Sequence, residues 1–220
     1  MSAHVEQFSI SADPPVEGCL HRPESASSDG LVLTHGAGGN AHMPLLVAVA
    51  EAFAGAGLTV LRCNLPFRQK RSFGPPRPAD AVRDRLGLKN AIVAVRGLDG
   101  VKRLFVGGQS YGGRQASMLL AEESATDGLL LLSYPLHPPG KPDQPRTQHL
   151  PQIKVPVMFV HGTHDPFGTI EEIESARKLI PTETLLLPIK GAGHDLGFKG
   201  NSRREALPSA VVGEFKRLFG

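Results

Sequence analysis

The chain has 220 residues, 40% hydrophobic and 20% charged, with a formal net charge of +3. This is the balance of a folded domain with a real core, and it excludes a disordered, collagen-like or coiled-coil chain; at this length one domain is the default. The charge is too small to name a nucleic-acid partner, and the two cysteines, Cys19 and Cys63, form no CxxC pair and support neither a disulfide framework nor a cysteine zinc site.

In chain order, Met1 to Pro15 lacks the basic segment and apolar run of a signal peptide, so a reducing cytoplasm is the expected compartment. Val5 to Ile10 and Gly18 to His21 read as short edge strands within residues 1–29, which precede a core at 30–220 in the same domain. Leu31 to Thr34, Thr59 to Cys63, Leu104 to Val106, Leu129 to Leu132, Val157 to Val160 and Thr184 to Leu187 read as six parallel strands. They are mostly continuous apolar runs, as needed when helices cover both faces of a sheet. Pro44 to Ala54, Ala79 to Arg96, Gly113 to Glu123, Ile170 to Leu179 and Arg203 to Leu218 read as helices, with Leu86, Ile92, Val93 and Val95 as the apolar face of the second. The most apolar stretch, Leu45 to Leu61, is broken by Glu51, Gly55 and Gly57 and falls short of the roughly 18 to 20 apolar residues of a membrane span, so no membrane partner is expected. The alternation predicts an α/β fold, a mostly parallel central sheet with helices on both faces.

Two stretches break the pattern. Arg68 to Pro78 carries Arg68, Lys70, Arg71 and Arg77 and no acid; it reads as a solvated loop where a protein could dock or where Arg68, Lys70 and Arg71 could steer an anionic substrate. Tyr134 to Pro156 carries prolines at 135, 138, 139, 142, 145, 151 and 156. It is too broken for a helix and long for a passive connection, and it reads as a binding loop.

Gly108-Gln109-Ser110-Tyr111-Gly112 fits G-x-S-x-G between a strand and a helix. A sharp turn that lifts a serine hydroxyl into the open needs small flanking residues, and Gly107, Gly108, Gly112 and Gly113 supply them. A serine hydroxyl becomes a useful nucleophile only beside a base held by an acid. In the chain order serine, acid, histidine the candidates are Asp165, just after the strand Val157 to Val160, and His194, past the last strand; Asp195 is the alternative acid. The oxyanion donors would be the amide of Tyr111 and one from the loop His35 to Asn40, with Ala37 first and Gly36 and Gly38 as alternatives.

Four other readings compete. Gly36 to Ala41 also matches G-x-G-x-x-A, a dinucleotide fingerprint, but the next strand ends in Leu61-Arg62-Cys63-Asn64 without the acid that would hold a ribose, and Arg62 would serve only a phosphorylated cofactor. Gly107 to Gly113 with Arg114 lacks the Lys and Ser/Thr of a phosphate loop. His161, His164 and Asp165 lack a second ligand group at metal spacing, so no metal is expected. The run from Arg68 to Arg77 has only Phe73 for stacking, and no nucleic-acid partner is expected.

Together, the strand order, the turn at Ser110, the His35-Gly36 loop, Asp165 and His194 resemble the α/β-hydrolase fold over about Leu31 to Phe219. Within it, Arg62 to Phe67, Gly113-Arg114, Tyr134 to Lys141 and Gly162 to Gly168 resemble the small lidless KAN-type group, which includes a testis-expressed hydrolase-like protein and a chromatin-complex subunit. The dienelactone-hydrolase group is similar in size, with Ser110 in place of its cysteine nucleophile. The resemblance implies a cofactor-free serine hydrolase of an ester or thioester, acting on a small-molecule or acylated substrate. Because some members of the group act as scaffolds, it also implies the alternative of a non-catalytic interaction module. Lids in this fold insert where Tyr134 to Pro156 lies, so an open site is expected, with Tyr134 and His137 at its rim as substrate-binding residues.

Overall fold

Successive side chains of a strand point to opposite faces of its sheet, so a strand covered on both sides must be apolar at every position. The computed structural model, which describes residues 4–199 and 204–220, shows this throughout the centre of the molecule. In β3 (Asp29–Thr34) Leu31 and Leu33 face one core and Val32 the other; in β6 (Gly128–Leu132) Leu130 and Leu132 face the first and Leu129 and Leu131 the second. The remaining parallel strands are β4 (Thr59–Cys63), β5 (Arg103–Gln109), β7 (Val157–Gly162) and β8 (Thr184–Ile189). Preceding them, β1 (His4–Ile10) and β2 (Val16–Arg22) form an antiparallel pair.

The eight strands lie in the order β1-β2-β4-β3-β5-β6-β7-β8, and β3 to β8 run parallel. Only β1 occupies the edge on that side. β2, expected as an edge strand, pairs on its other side with β4 and is interior, as its buried Cys19, Leu20 and His21 require. One sheet face is covered by α1 (Pro44–Gly55) and α6 (Ala206–Phe219), the other by α3 (Asp80–Arg96), α4 (Tyr111–Glu122) and α5 (Ile170–Arg177). The expected start of the last helix at Arg203 lies outside the described residues.

Two expectations are corrected by the packing. In α3, Leu86 and Val93 are 42% and 62% exposed, and the buried stripe is Leu88, Ala91, Ile92 and Val95. At 3.6 residues per turn the positions 88, 91, 92 and 95 share one face, while 86 and 93 share another. The stretch expected to be loop from Arg68 begins inside a short helix, α2 (Pro66–Lys70), opened by a proline at its first turn. Between β6 and β7 the chain forms only a 3-10 turn at Leu150–Gln152, so no helical lid is inserted there. No helix among the described residues is long and apolar enough to cross a membrane.

Candidate active site

Six parallel strands end at one edge of the sheet, and the loops leaving that edge bring distant residues together. At the end of β5 the chain turns sharply into α4. Ser110, at the helix N-cap, has φ 51° and ψ −117°, and its amide donates to Leu132 O at 2.8 Å. The turn is this tight because backbone crosses backbone: a Cβ on Gly108 would lie 2.6 Å from Thr34 O and one on Gly112 2.5 Å from His35 O. Glycine is therefore required at both positions.

The loop after β7 carries Asp165, whose side chain is excluded from solvent. Its Oδ1 accepts from Phe167 N at 2.9 Å, and Oδ2 lies 2.8 Å from His194 Nδ1. His194, in the loop after β8, has its Nε2 2.7 Å from Ser110 Oγ. With a carboxylate at Nδ1, that nitrogen carries the proton and Nε2 offers its lone pair to the hydroxyl. The Phe167 ring lies 4.2 Å from the His194 ring at 31°, a packing surface absent from the sequence reading. Asp195 instead accepts from Gly197 N at 2.8 Å within its own loop. His161 is buried with Nε2 on Gly168 O at 2.9 Å and 3.6 Å from Asp165, whereas His164 is exposed; burial holds the His161 pKa below its ordinary value.

The loop after β3 closes over the same point. Ala37 lines one cavity with Ser110 and Tyr111, while Gly36 and Gly38 are not part of its lining. The loop is held from behind by Arg68, a residue expected to be free for steering. Arg68 is buried and donates to the carbonyls of Gly39 at 2.8 Å, Ala37 at 3.0 Å, Gly74 at 2.9 Å and Arg71 at 3.1 Å. His35 completes the brace: Nδ1 donates to Gly36 O at 2.9 Å and Nε2 accepts from Leu65 N at 3.1 Å. That pattern needs the neutral ring, and burial lowers its pKa to about 4. Arg71 pairs with Asp80, so two of the four cations of the basic run, Arg68 and Arg71, are committed to structure, while Lys70 and Arg77 are exposed.

The cavity in front of Ser110 has a volume of about 570 Å³ and includes Pro75 to Pro78, Arg114, Arg146 and Phe167 in its walls. The segment after α2 thus forms one wall of the site. Tyr134 and His137, expected at the rim, are not among the lining residues. Tyr134 is buried and donates its hydroxyl to Arg146 O at 2.6 Å. His137 points to Glu172, 3.3 Å away, and lines a separate groove against α5. The aromatic ring was drawn into the core because a phenol satisfied by a backbone carbonyl buries well. Tyr111 does line the cavity, its hydroxyl donating to the buried Asp84 at 2.7 Å; burial raises the carboxyl pKa and that hydrogen bond opposes the rise.

A sequence model of the alpha/beta hydrolase domain matches residues 27–211, a span that contains Ser110, Asp165 and His194. The chain belongs to the alpha/beta hydrolase family. Among solved structures, this family member is similar to a dienelactone hydrolase from Anabaena variabilis, at 22% identity over 99% of this chain and 97% of that one, with a TM-score of 0.75. It is also similar to an alpha/beta serine hydrolase without a lid from Xanthomonas campestris, at 18% identity over 97% and 95%, TM-score 0.73. Est1E from Butyrivibrio proteoclasticus aligns at 19% identity over 96% and 97%, TM-score 0.73. At these identities the likeness is one of fold.

Two of the competing features have structural work in this hydrolase fold. Arg62, the residue a phosphorylated dinucleotide would need, is buried; its Nε donates to His21 Nε2 at 2.7 Å and an η nitrogen to Ala41 O. Cys63 is buried at the end of β4, and burial pushes its thiol up to about 12, far from a reactive thiolate.

Proposed function

We propose that the protein is a serine hydrolase that cleaves an ester or thioester through an acyl-enzyme. The observation that carries this reading is the continuous hydrogen-bonded series from Asp165 through His194 to Ser110 Oγ, opening on a cavity. In this mechanism His194 Nε2 takes the hydroxyl proton as Ser110 Oγ bonds to the acyl carbon. The imidazolium that forms is stabilised by Asp165 and returns its proton to the leaving group. Water then repeats the sequence on the acyl-enzyme and frees Ser110. The amides of Tyr111 and Ala37 are our oxyanion donors: Tyr111 follows the nucleophile, and Ala37 is the residue of its loop that faces the cavity.

Within the family we place the chain in the small KAN-type group, on the loop sequences Arg62 to Phe67 and Gly162 to Gly168. Two buried free thiols support a reducing cytoplasm as its compartment. Intact-protein mass after exposure to a fluorophosphonate tests the central reading. One adduct is expected on the natural chain and none on Ser110→Ala or His194→Ala. A folded natural chain that takes no adduct would overturn it in favour of an interaction module.

A further inference from the structure

The walls of the Ser110 cavity carry three arginines, Arg77, Arg114 and Arg146, and no acidic residue. Arg114 stands one helical turn beyond Ser110 on α4, its amide donating to Ser110 O at 2.9 Å. The neighbouring acids are already committed. Asp84 accepts from Tyr111 Oη and Phe67 N, Asp80 pairs with Arg71, and Glu122 pairs with Arg85. Among the described residues, none of the three cavity arginines has a carboxylate partner within ion-pair distance.

Two donors beside that cavity are left over. Arg114 Nε is buried with no acceptor, and so is Nε2 of the fully buried Gln115, whose Oε1 is held by Arg85 at 3.3 Å. The Arg146 guanidinium makes one hydrogen bond among the described residues, from an η nitrogen to Pro135 O at 3.1 Å. Burial and the nearby Arg114 charge both press its guanidinium toward the neutral form. Partly buried like charges and orphaned donors are each unfavourable without a counter-charge, and a guanidinium fork matches the paired oxygens of a carboxylate or phosphate.

We propose that the cavity takes acyl substrates that carry an oxyanionic group, a carboxylate or a phosphate, held by Arg114 and Arg146 beside Ser110. This rests on the serine-hydrolase reading and names its substrate class. The test compares kcat/KM for mono-(p-nitrophenyl) glutarate with that for p-nitrophenyl butyrate. The natural chain is expected to favour the anionic ester, and the ratio to fall about tenfold or more in Arg114→Gln and in Arg146→Gln, mainly through KM. Arg114→Lys is expected to recover part of it. Inhibition of butyrate cleavage by glutarate against inorganic phosphate tells which oxyanion is held.

A natural chain that favours the neutral ester, or a ratio unchanged in both glutamine variants, would overturn the proposal while leaving the hydrolase reading intact. If no fluorophosphonate adduct forms, that reading fails first, and the anion site is read directly by thermal shift. A concentration-dependent rise in Tm with glutarate or phosphate, lost in Arg114→Gln, would support it, and no rise with either would overturn it. Should the Arg114 and Arg146 variants fail to fold, Arg77→Gln on the exposed rim is expected to weaken inhibition by the same anion, and unchanged inhibition in that variant would count against the site.

Discussion

Ser110 adopts a positive φ that costs a residue with a Cβ of order 1–3 kcal/mol, and the surrounding backbone holds it there. The return on that strain is a hydroxyl standing clear of both strand and helix, 2.7 Å from an imidazole. Asp165 fixes which nitrogen of that imidazole carries the proton. Asp165→Asn would offer an amide where a carboxylate belongs, and kcat on a short p-nitrophenyl ester is expected to fall roughly 10³- to 10⁴-fold with the fold intact by circular dichroism. His21, His35 and His149 make a different prediction. Burial lowers each to about 4, with the Arg62, Arg68 and Arg114 charges acting the same way on His21, His35 and His149 respectively. Because the folded values lie below the ordinary 6.5, the unfolded chain binds more protons between pH 6.5 and 4. Their contribution to stability is therefore complete above about pH 6.5 and is lost as pH falls toward 4. Imidazole NMR titration is expected to show these three rings neutral until pH approaches 4, and the urea midpoint to decline over the same window.

At the level of elements, α2 and the loop after β3 behave as one unit because Arg68 ties four carbonyls together. Arg68→Met removes those donors without removing bulk. Ala37 then loses its support, and kcat is expected to fall about tenfold or more, a fraction of the roughly 100- to 1000-fold that follows outright loss of an oxyanion donor; steady-state rates beside a melting curve would separate this from simple unfolding. The junction of β5 and α4 is less forgiving. A Cβ at Gly108 meets the Thr34 carbonyl, which cannot rotate away, so Gly108→Ala is expected to cost about 3 kcal/mol or more in a denaturant titration. A substitution of the exposed Leu86 or Val93 in α3 to a polar residue is expected to stay within about 0.5 kcal/mol, although sequence periodicity first assigns both to the core.

Across the whole molecule, a mostly parallel sheet delivers three loops separated by dozens of residues to a single edge, where the candidate site forms. No helical lid crosses it; its walls come from the loop after β3, the segment Pro75 to Pro78 and the segment around Arg146. A site of about 570 Å³ without a lid suits small acyl groups. Activity over a p-nitrophenyl ester series is expected to peak at short chains and to show no jump at the micellar concentration of long ones. A maximum on long-chain triglyceride would contradict this.

Sequence by itself determined the parts of this protein that depend on local pattern. Apolar runs marked all six parallel strands because both faces are covered. The glycines around Ser110 marked the sharp turn because a side chain there would collide with neighbouring backbone. Chain order singled out Asp165 and His194 because each follows a strand that ends at the same edge. Tertiary structure alone decided the rest, because it depends on what packs against what. Tyr134 is core and not rim, since its hydroxyl finds the Arg146 carbonyl; the Arg68 cation is an internal brace, since four carbonyls converge on it. Arg114, one turn from Ser110, and Arg146, far along the chain, meet at one cavity only because a proline-rich loop folds back over α4. Neither periodicity nor spacing encodes that meeting.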